Sequence, residues 1–191
     1  MGSRRLWKLQ ILPNNLRLKS LEKFDLTNCL RLEKFSNIHP EMKCLKSLNL
    51  SGSGIQELPS SIEYLTGLEL LDLSCCKNLK LRQTFDYLDG FSKCGYFPVL
   101  CSLDLSETNI VSIPESLSRF ASLEFLYMRD CKQLWEISRL PQSVRYVDLS
   151  NCYSLNAQSS NRLLNQVSLS FFYLLIYKET IVVTFFPNSI C

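Results

Sequence analysis

The sequence predicts an α/β solenoid, with a curved parallel β-sheet on its concave face and short 3₁₀ or irregular segments on its convex face. Three observations point there. One unit recurs six times along the chain, its apolar residues alternate as in a short strand, and an apolar run at triplet spacing follows the strand in several copies.

Residues 1–8 read as an N-terminal lead. Leu9-x-x-Leu12-Pro13-x-x-Leu16 fits the second half of a unit, so the repeat region, 9–156, starts in mid-unit with no polar cap evident ahead of it. Six units follow: LEKFDLTNCLRL from Leu21, LKSLNLSGSGI from Leu45, LELLDLSCCKNL from Leu68, LCSLDLSETNI from Leu100, LEFLYMRDCKQL from Leu123 and VRYVDLSNCYSL from Val144. Successive starts lie 24, 23, 32, 23 and 21 residues apart, a leucine-rich-repeat period with one expansion. Within a unit, alternate apolar residues face the core while those between them face outward. One coil cannot bury its apolar side alone, so stacked coils share a continuous core.

The position after each strand is taken by Cys29, Ser53, Cys76, Thr108, Cys131 and Cys152, all small enough for a tight turn and able to hydrogen-bond to backbone. This predicts buried, structural thiols, with the adjacent Cys75 pointing outward and more reactive than Cys76. In the return half, Ile55-x-x-Leu58-Pro59-x-x-Ile62-x-x-Leu65 matches Ile110-x-x-Ile113-Pro114-x-x-Leu117-x-x-Phe120. An insertion at about 80–99 carries Phe85, Tyr87, Phe91, Tyr96 and Phe97, which fit a poorly matched coil packing its own aromatics better than a protruding contact loop. Residues 157–166 read as a polar linker and 167–191 as an apolar, non-repeat tail, interrupted by Lys178 and Glu179 in the manner of two joined strands.

Composition excludes several functions. With 191 residues, 46% hydrophobic and 20% charged, the chain suits one folded domain, and a net charge of +3 is too weak to predict nucleic-acid binding. Ten Lys or Arg against four Asp or Glu in residues 1–50 leave the rest slightly acidic. Nine cysteines with no CxxC pair and one histidine, His39, match no zinc site. The start MGSRRLWK lacks a signal core, and the apolar run of the tail is too short for a membrane span. The sequon Asn49-Leu50-Ser51 falls where a glycan would crowd a strand, in keeping with a reducing compartment.

No GxSxG, HExxH or P-loop occurs, so no catalytic, cofactor-binding or metal-binding residue is assigned, and the chain reads as no enzyme. His39 and Cys44 form the only Cys/His candidate, and His39 is expected to be solvent-exposed on NIHPEMK. The concave face is the surface available for binding. Its outward columns read Lys23, Ser47, Leu70, Ser102, Phe125, Tyr146; then Asp25, Asn49, Asp72, Asp104, Tyr127, Asp148; then Thr27, Ser51, Ser74, Ser106, Arg129, Ser150. The candidate partner-binding residues are Asp25, Asn49, Asp72, Asp104, Phe125, Tyr127, Arg129, Tyr146 and Asp148, because acidic rows attract basic groups and aromatic–Arg clusters suit hot spots. The competing reading is that Asp-Leu-Ser simply suits the junction from strand to turn.

Over about residues 9–165 the chain resembles the plant intracellular immune receptors that join a Toll/interleukin-receptor-like domain, a nucleotide-binding domain and C-terminal leucine-rich repeats. The carrying stretches are LRLKSLEKFDLTNCLRLEKF, LKSLNLSGSGIQELPSSIEYLTGLELLDLSCCKNL, SLDLSETNIVSIPESLSRFASLEFLYMRDCKQL and LPQSVRYVDLSNCYSL. The resemblance implies a cytoplasmic, or nuclear, sensor module. Its protein partners would be a pathogen effector, a host protein or other domains of a full receptor, and it would contribute to autoinhibition in defence. The family's enzyme and nucleotide switch lie in domains whose motifs this chain lacks. Members often continue into a β-sandwich, which the tail does not match. The alternative reading is a truncated receptor product with no independent activity.

Overall fold

The computed structural model describes residues 8–14, 16–80, 97–159, 161, 163, 172–177 and 180–185, the last two segments by backbone only. In chain order the strands are β1 (Lys23–Asp25), β2 (Ser47–Asn49), β3 (Leu70–Asp72), β4 (Ser102–Asp104), β5 (Ser112–Ile113), β6 (Phe125–Tyr127), β7 (Glu136–Ile137), β8 (Tyr146–Asp148), β9 (Phe172–Tyr177) and β10 (Thr180–Phe185). The main sheet runs β1-β2-β3-β4-β6-β8-β10-β9, and its first six strands are parallel, one from each repeat. The molecule is thus the leucine-rich-repeat solenoid that the spacing predicts.

The coils supply equivalent inward residues, buried from the second coil on and with Leu21 and Phe24 of the first only partly buried. Leu48, Leu71, Leu103, Leu126 and Val147 at the strand centres are buried, as are Leu26, Leu50, Leu73, Leu105, Met128 and Leu149 after them. Together with the residues that open the units, from Leu45 to Val144, they form one continuous core. The backbone ladder extends beyond the strands: Leu50 N–H donates to Asp72 O and Leu73 N–H to Asp104 O, each at 2.8 Å.

Two residues further on, the chain turns through a left-handed residue in every coil: Asn28, Gly52, Cys75, Glu107, Asp130 and Asn151, with φ between 55° and 65°. In the first five coils the turn aims that residue's N–H at the next coil, as from Cys75 to Ser106 O at 2.8 Å and from Glu107 to Arg129 O at 2.7 Å. Asn, Asp and Gly tolerate this region; Cys and Glu do so at a cost. Cys75→Gly is therefore expected to stabilise the chain by about 1 kcal/mol, read as a higher urea midpoint at unchanged slope. An unchanged or lower midpoint would show that Cys75 carries no such strain.

The return halves are built as the triplet spacing predicts. The 3₁₀ helices Ser60–Tyr64 and Glu115–Arg119 follow Pro59 and Pro114, whose φ of −68° and −70° suits the entry, and they bury Ile62 and Leu117. Strands β5 and β7 form a second, two-stranded parallel sheet.

Residues 157–159, 161 and 163 are helical rather than linker. Asn156 Oδ1 caps them by accepting the Ser159 N–H at 2.7 Å, and Leu163 enters the core. Within the apolar tail β9 and β10 pair antiparallel, and β10 also pairs antiparallel with β8 in the register Val182↔Asp148, Val183↔Val147, Thr184↔Tyr146. Of the insertion, Phe97 is buried and stacks edge-on against Phe120 at 5.5 Å. Phe85, Tyr87, Phe91 and Tyr96 lie outside the described residues.

Candidate functional site

Parallel pairing brings the outward columns into register, so that Asp25, Asn49, Asp72, Asp104, Tyr127 and Asp148 stand side by side across the sheet. Each acidic or amide member does local work first. Asp25, Asn49, Asp72, Asp104 and Asp148 all turn Oδ1 onto the N–H two residues ahead, at 2.8–3.0 Å. Thr27 and Ser74 also donate their hydroxyls to the same Oδ1, at 2.6 and 2.7 Å, and Ser150 does so to Asp148. The hydroxyl and N–H of Thr27 hold the Asp25 carboxyl below its ordinary pKa. These are Asx turns that lead the strand into the left-handed residue.

The fifth coil has no such acceptor, since Tyr127 replaces the Asp. The Arg129 N–H is instead taken by the Ser106 hydroxyl of the preceding coil at 3.1 Å. That substitution frees the row for an aromatic side chain without leaving a buried donor unpaired.

Around Tyr127 the predicted patch assembles. The Tyr146 ring lies 5.4 Å from Tyr127 and 6.5 Å from Phe125, and the Arg129 guanidinium sits 5.9 Å above the Tyr127 ring. Arg129 Nε also faces Asp148 Oδ2 at 3.7 Å, and the Tyr146 hydroxyl approaches the same oxygen at 3.4 Å. Burial, then Asp148, pushes the Tyr146 hydroxyl above its ordinary pKa. Phe125 is 37% exposed, whereas Asp148 is 6% exposed. Asp148 therefore serves the patch by anchoring Arg129 more than by touching a visitor.

The remaining candidates are dispersed. Asp25 and Asn49 sit at the opposite end of the sheet, away from the aromatic group, with Asp72 and Asp104 between. Leu70, 46% exposed, belongs to the same face and was not among the candidates. Its signal was available: a leucine stands at an outward position that the coils on either side give to Ser47 and Ser102.

The cysteine column is built into the fold. Cys76, Cys131 and Cys152 donate their thiols to Leu50 O, Leu105 O and Met128 O of the preceding coil at 3.1, 3.2 and 2.9 Å. Burial pushes the Cys29 and Cys76 thiols upward, which keeps them protonated and unreactive. Cys75 is the more accessible of its pair, but burial and then Glu107 raise its pKa as well, so it is not an activated thiol. His39 is half-buried rather than solvent-exposed, because its ring packs beside Glu41, whose N–H it accepts at 3.3 Å. Among the described residues no cluster of three or more His, Cys, Asp or Glu could hold a metal, and no helix is long and apolar enough to cross a membrane.

Residues 17–92 match the family model described as "Disease resistance protein RPS4B-like, leucine-rich repeats". Among relatives from Arabidopsis thaliana, a putative disease resistance protein is 30% identical, over 78% of this chain and 14% of its own length. Disease resistance-like protein DSC1 is 27% identical, over 78% and 14%, and probable disease resistance protein RPP1 is 31% identical, over 74% and 11%. The chain thus spans about one-seventh or less of the relatives it matches. A solved structure titled "Functional domain of InlJ from Listeria monocytogenes includes a cysteine ladder" aligns with a TM-score of 0.38 at 15% identity, covering 75% of this chain and 38% of that one.

Proposed function

We propose that this chain is a protein-recognition module of a plant defence receptor, a reading supported by the match of residues 17–92 to the leucine-rich repeats of the disease resistance protein model. It binds through the concave face, centred on Phe125, Tyr127, Arg129 and Tyr146. The observation that carries the reading is the aromatic–Arg cluster on the outward side of β6 and β8, where the Asp or Asn of the other coils gives way to Tyr127. Aromatic rings and a guanidinium held in place by one another lose little freedom on binding, which is the economy of a hot spot.

On this reading the partner is a pathogen effector or a host protein, met in the cytoplasm or nucleus. Other domains of a receptor would occupy the same face in the resting state and so contribute to autoinhibition. The acidic column, whose Oδ1 atoms are spent on turns, plays a weaker, electrostatic part.

Phe125→Ala combined with Tyr127→Ala is expected to lower capture of a protein partner from pathogen-challenged plant tissue at least tenfold, roughly the loss of two anchors of 1 kcal/mol or more, while far-UV dichroism stays unchanged. Capture that is unaltered in the double variant would contradict the assignment.

A further inference from the structure

A second feature of the concave face lies one coil before the aromatic cluster. In the outermost row, Leu70, Ser102 and Phe125 are in register on β3, β4 and β6. Leu70 is 46% exposed and Phe125 37% exposed, and the side chain between them is a hydroxymethyl group. Strands about 4.8 Å apart place the two apolar residues about 10 Å apart, which leaves a slot floored by Ser102 and as wide as one alkyl chain.

The neighbouring row gives the slot a charged end. Asp72 and Asp104 stand beside it, each with Oδ1 committed to its own turn through the N–H of Ser74 or Ser106. Among the described residues no Lys or Arg pairs with either carboxylate, in contrast to Asp148, which Arg129 meets at 3.7 Å. The slot therefore joins two exposed apolar walls to two carboxylates that no described Lys or Arg pairs with, the complement of a side chain with an alkyl stem and a cationic, planar tip.

We infer that this slot receives an arginine side chain from the protein partner, its methylenes between Leu70 and Phe125 and its guanidinium spanning Asp72 and Asp104. The inference rests on the proposed recognition role and specifies which residue of the partner the face selects. Arginine is favoured over lysine because a guanidinium presents several donors to two acceptors at once, whereas an ammonium is a point charge.

Random dodecapeptides displayed on phage and selected on the intact chain supply the probe. Asp72→Asn with Asp104→Asn removes both charges while keeping the turn acceptor, since Asn49 already performs that task in β2 with its Oδ1 2.9 Å from the Ser51 N–H. Ser102→Leu fills the slot and leaves the charges intact. Selected peptides are expected to share an arginine. Replacing it by citrulline, or using either variant chain, is expected to weaken binding at least about tenfold, and added salt to weaken it further. Recovery of no binder, binders lacking a basic residue, or binders indifferent to both variants would overturn the slot. Slot failure with continued loss of partner capture in Phe125→Ala/Tyr127→Ala leaves the recognition role standing; the reverse result separates the two the other way.

Discussion

Gly54→Ala is expected to destabilise the solenoid by about 3 kcal/mol or more, although it adds a single methyl group. A Cβ at this position would lie 2.3 Å from the Leu30 carbonyl oxygen and 3.3 Å from that of Leu32, both in the preceding coil. The obstacle is backbone. Relief requires the two coils to separate, which lengthens the bond from the Gly54 N–H to Cys29 O, now 3.2 Å. Gly67 is in the same position against Lys43 O at 2.2 Å.

Gly52→Ala provides the control. Its Cβ would meet the Asn28 side chain, which can rotate away, so the cost reduces to the left-handed φ of 65°, about 1–2 kcal/mol. Urea denaturation of the three variants should rank Gly54 and Gly67 well above Gly52. A Gly54→Ala chain within about 0.5 kcal/mol of the parent, the usual range of a harmless surface change, would show that the coils are spaced more loosely than described.

Leu126→Ala is expected to cost about 3–4 kcal/mol. Leu126 is the centre of β6, fully buried, with Leu103 and Val147 on the flanking strands in register beside it. Coils on both sides hold the cavity walls in place, which limits collapse. Its immediate neighbours in sequence should behave differently: Phe125→Ala and Tyr127→Ala remove groups that face solvent, and together they are expected to cost about 1 kcal/mol or less. Thermal melts of the two sets compare the inward and outward residues of one strand directly. Equal losses would contradict the division of labour between them.

That division is what the sequence made readable. The leucine spacing identified the strands, their parallel order and the inward residues, because burial imposes the same apolar choice on every coil. The 3₁₀ return was equally visible in the triplets after Ile55 and Ile110. The left-handed column from Asn28 to Asn151 was not, since Cys75 and Glu107 disguise a position whose requirement is conformational and not chemical. The helical stretch after Asn156 was hidden by its polar residues, and only Leu163 reaches the core.

For the candidate site, the aromatic–Arg cluster followed from the repeat register alone. The role of the acidic column did not. Composition suggested a row of ligands, while in the fold each Asp closes a turn through Oδ1, a task visible only once the Asp, the Ser and the backbone N–H are placed together. The pairing of β10 with β8 depends on contacts that no repeat pattern encodes.

On the proposed reading, the residues between the core leucines choose the partner. A photo-crosslinking amino acid placed at Tyr127 on the concave face, and separately at the exposed Val111 and Tyr64 on the return side, tests it most directly in plant tissue. A discrete protein adduct is expected from position 127 that disappears when Phe125 is replaced by alanine, and none from 111 or 64. Adducts from the return-side positions with none from position 127 would contradict it.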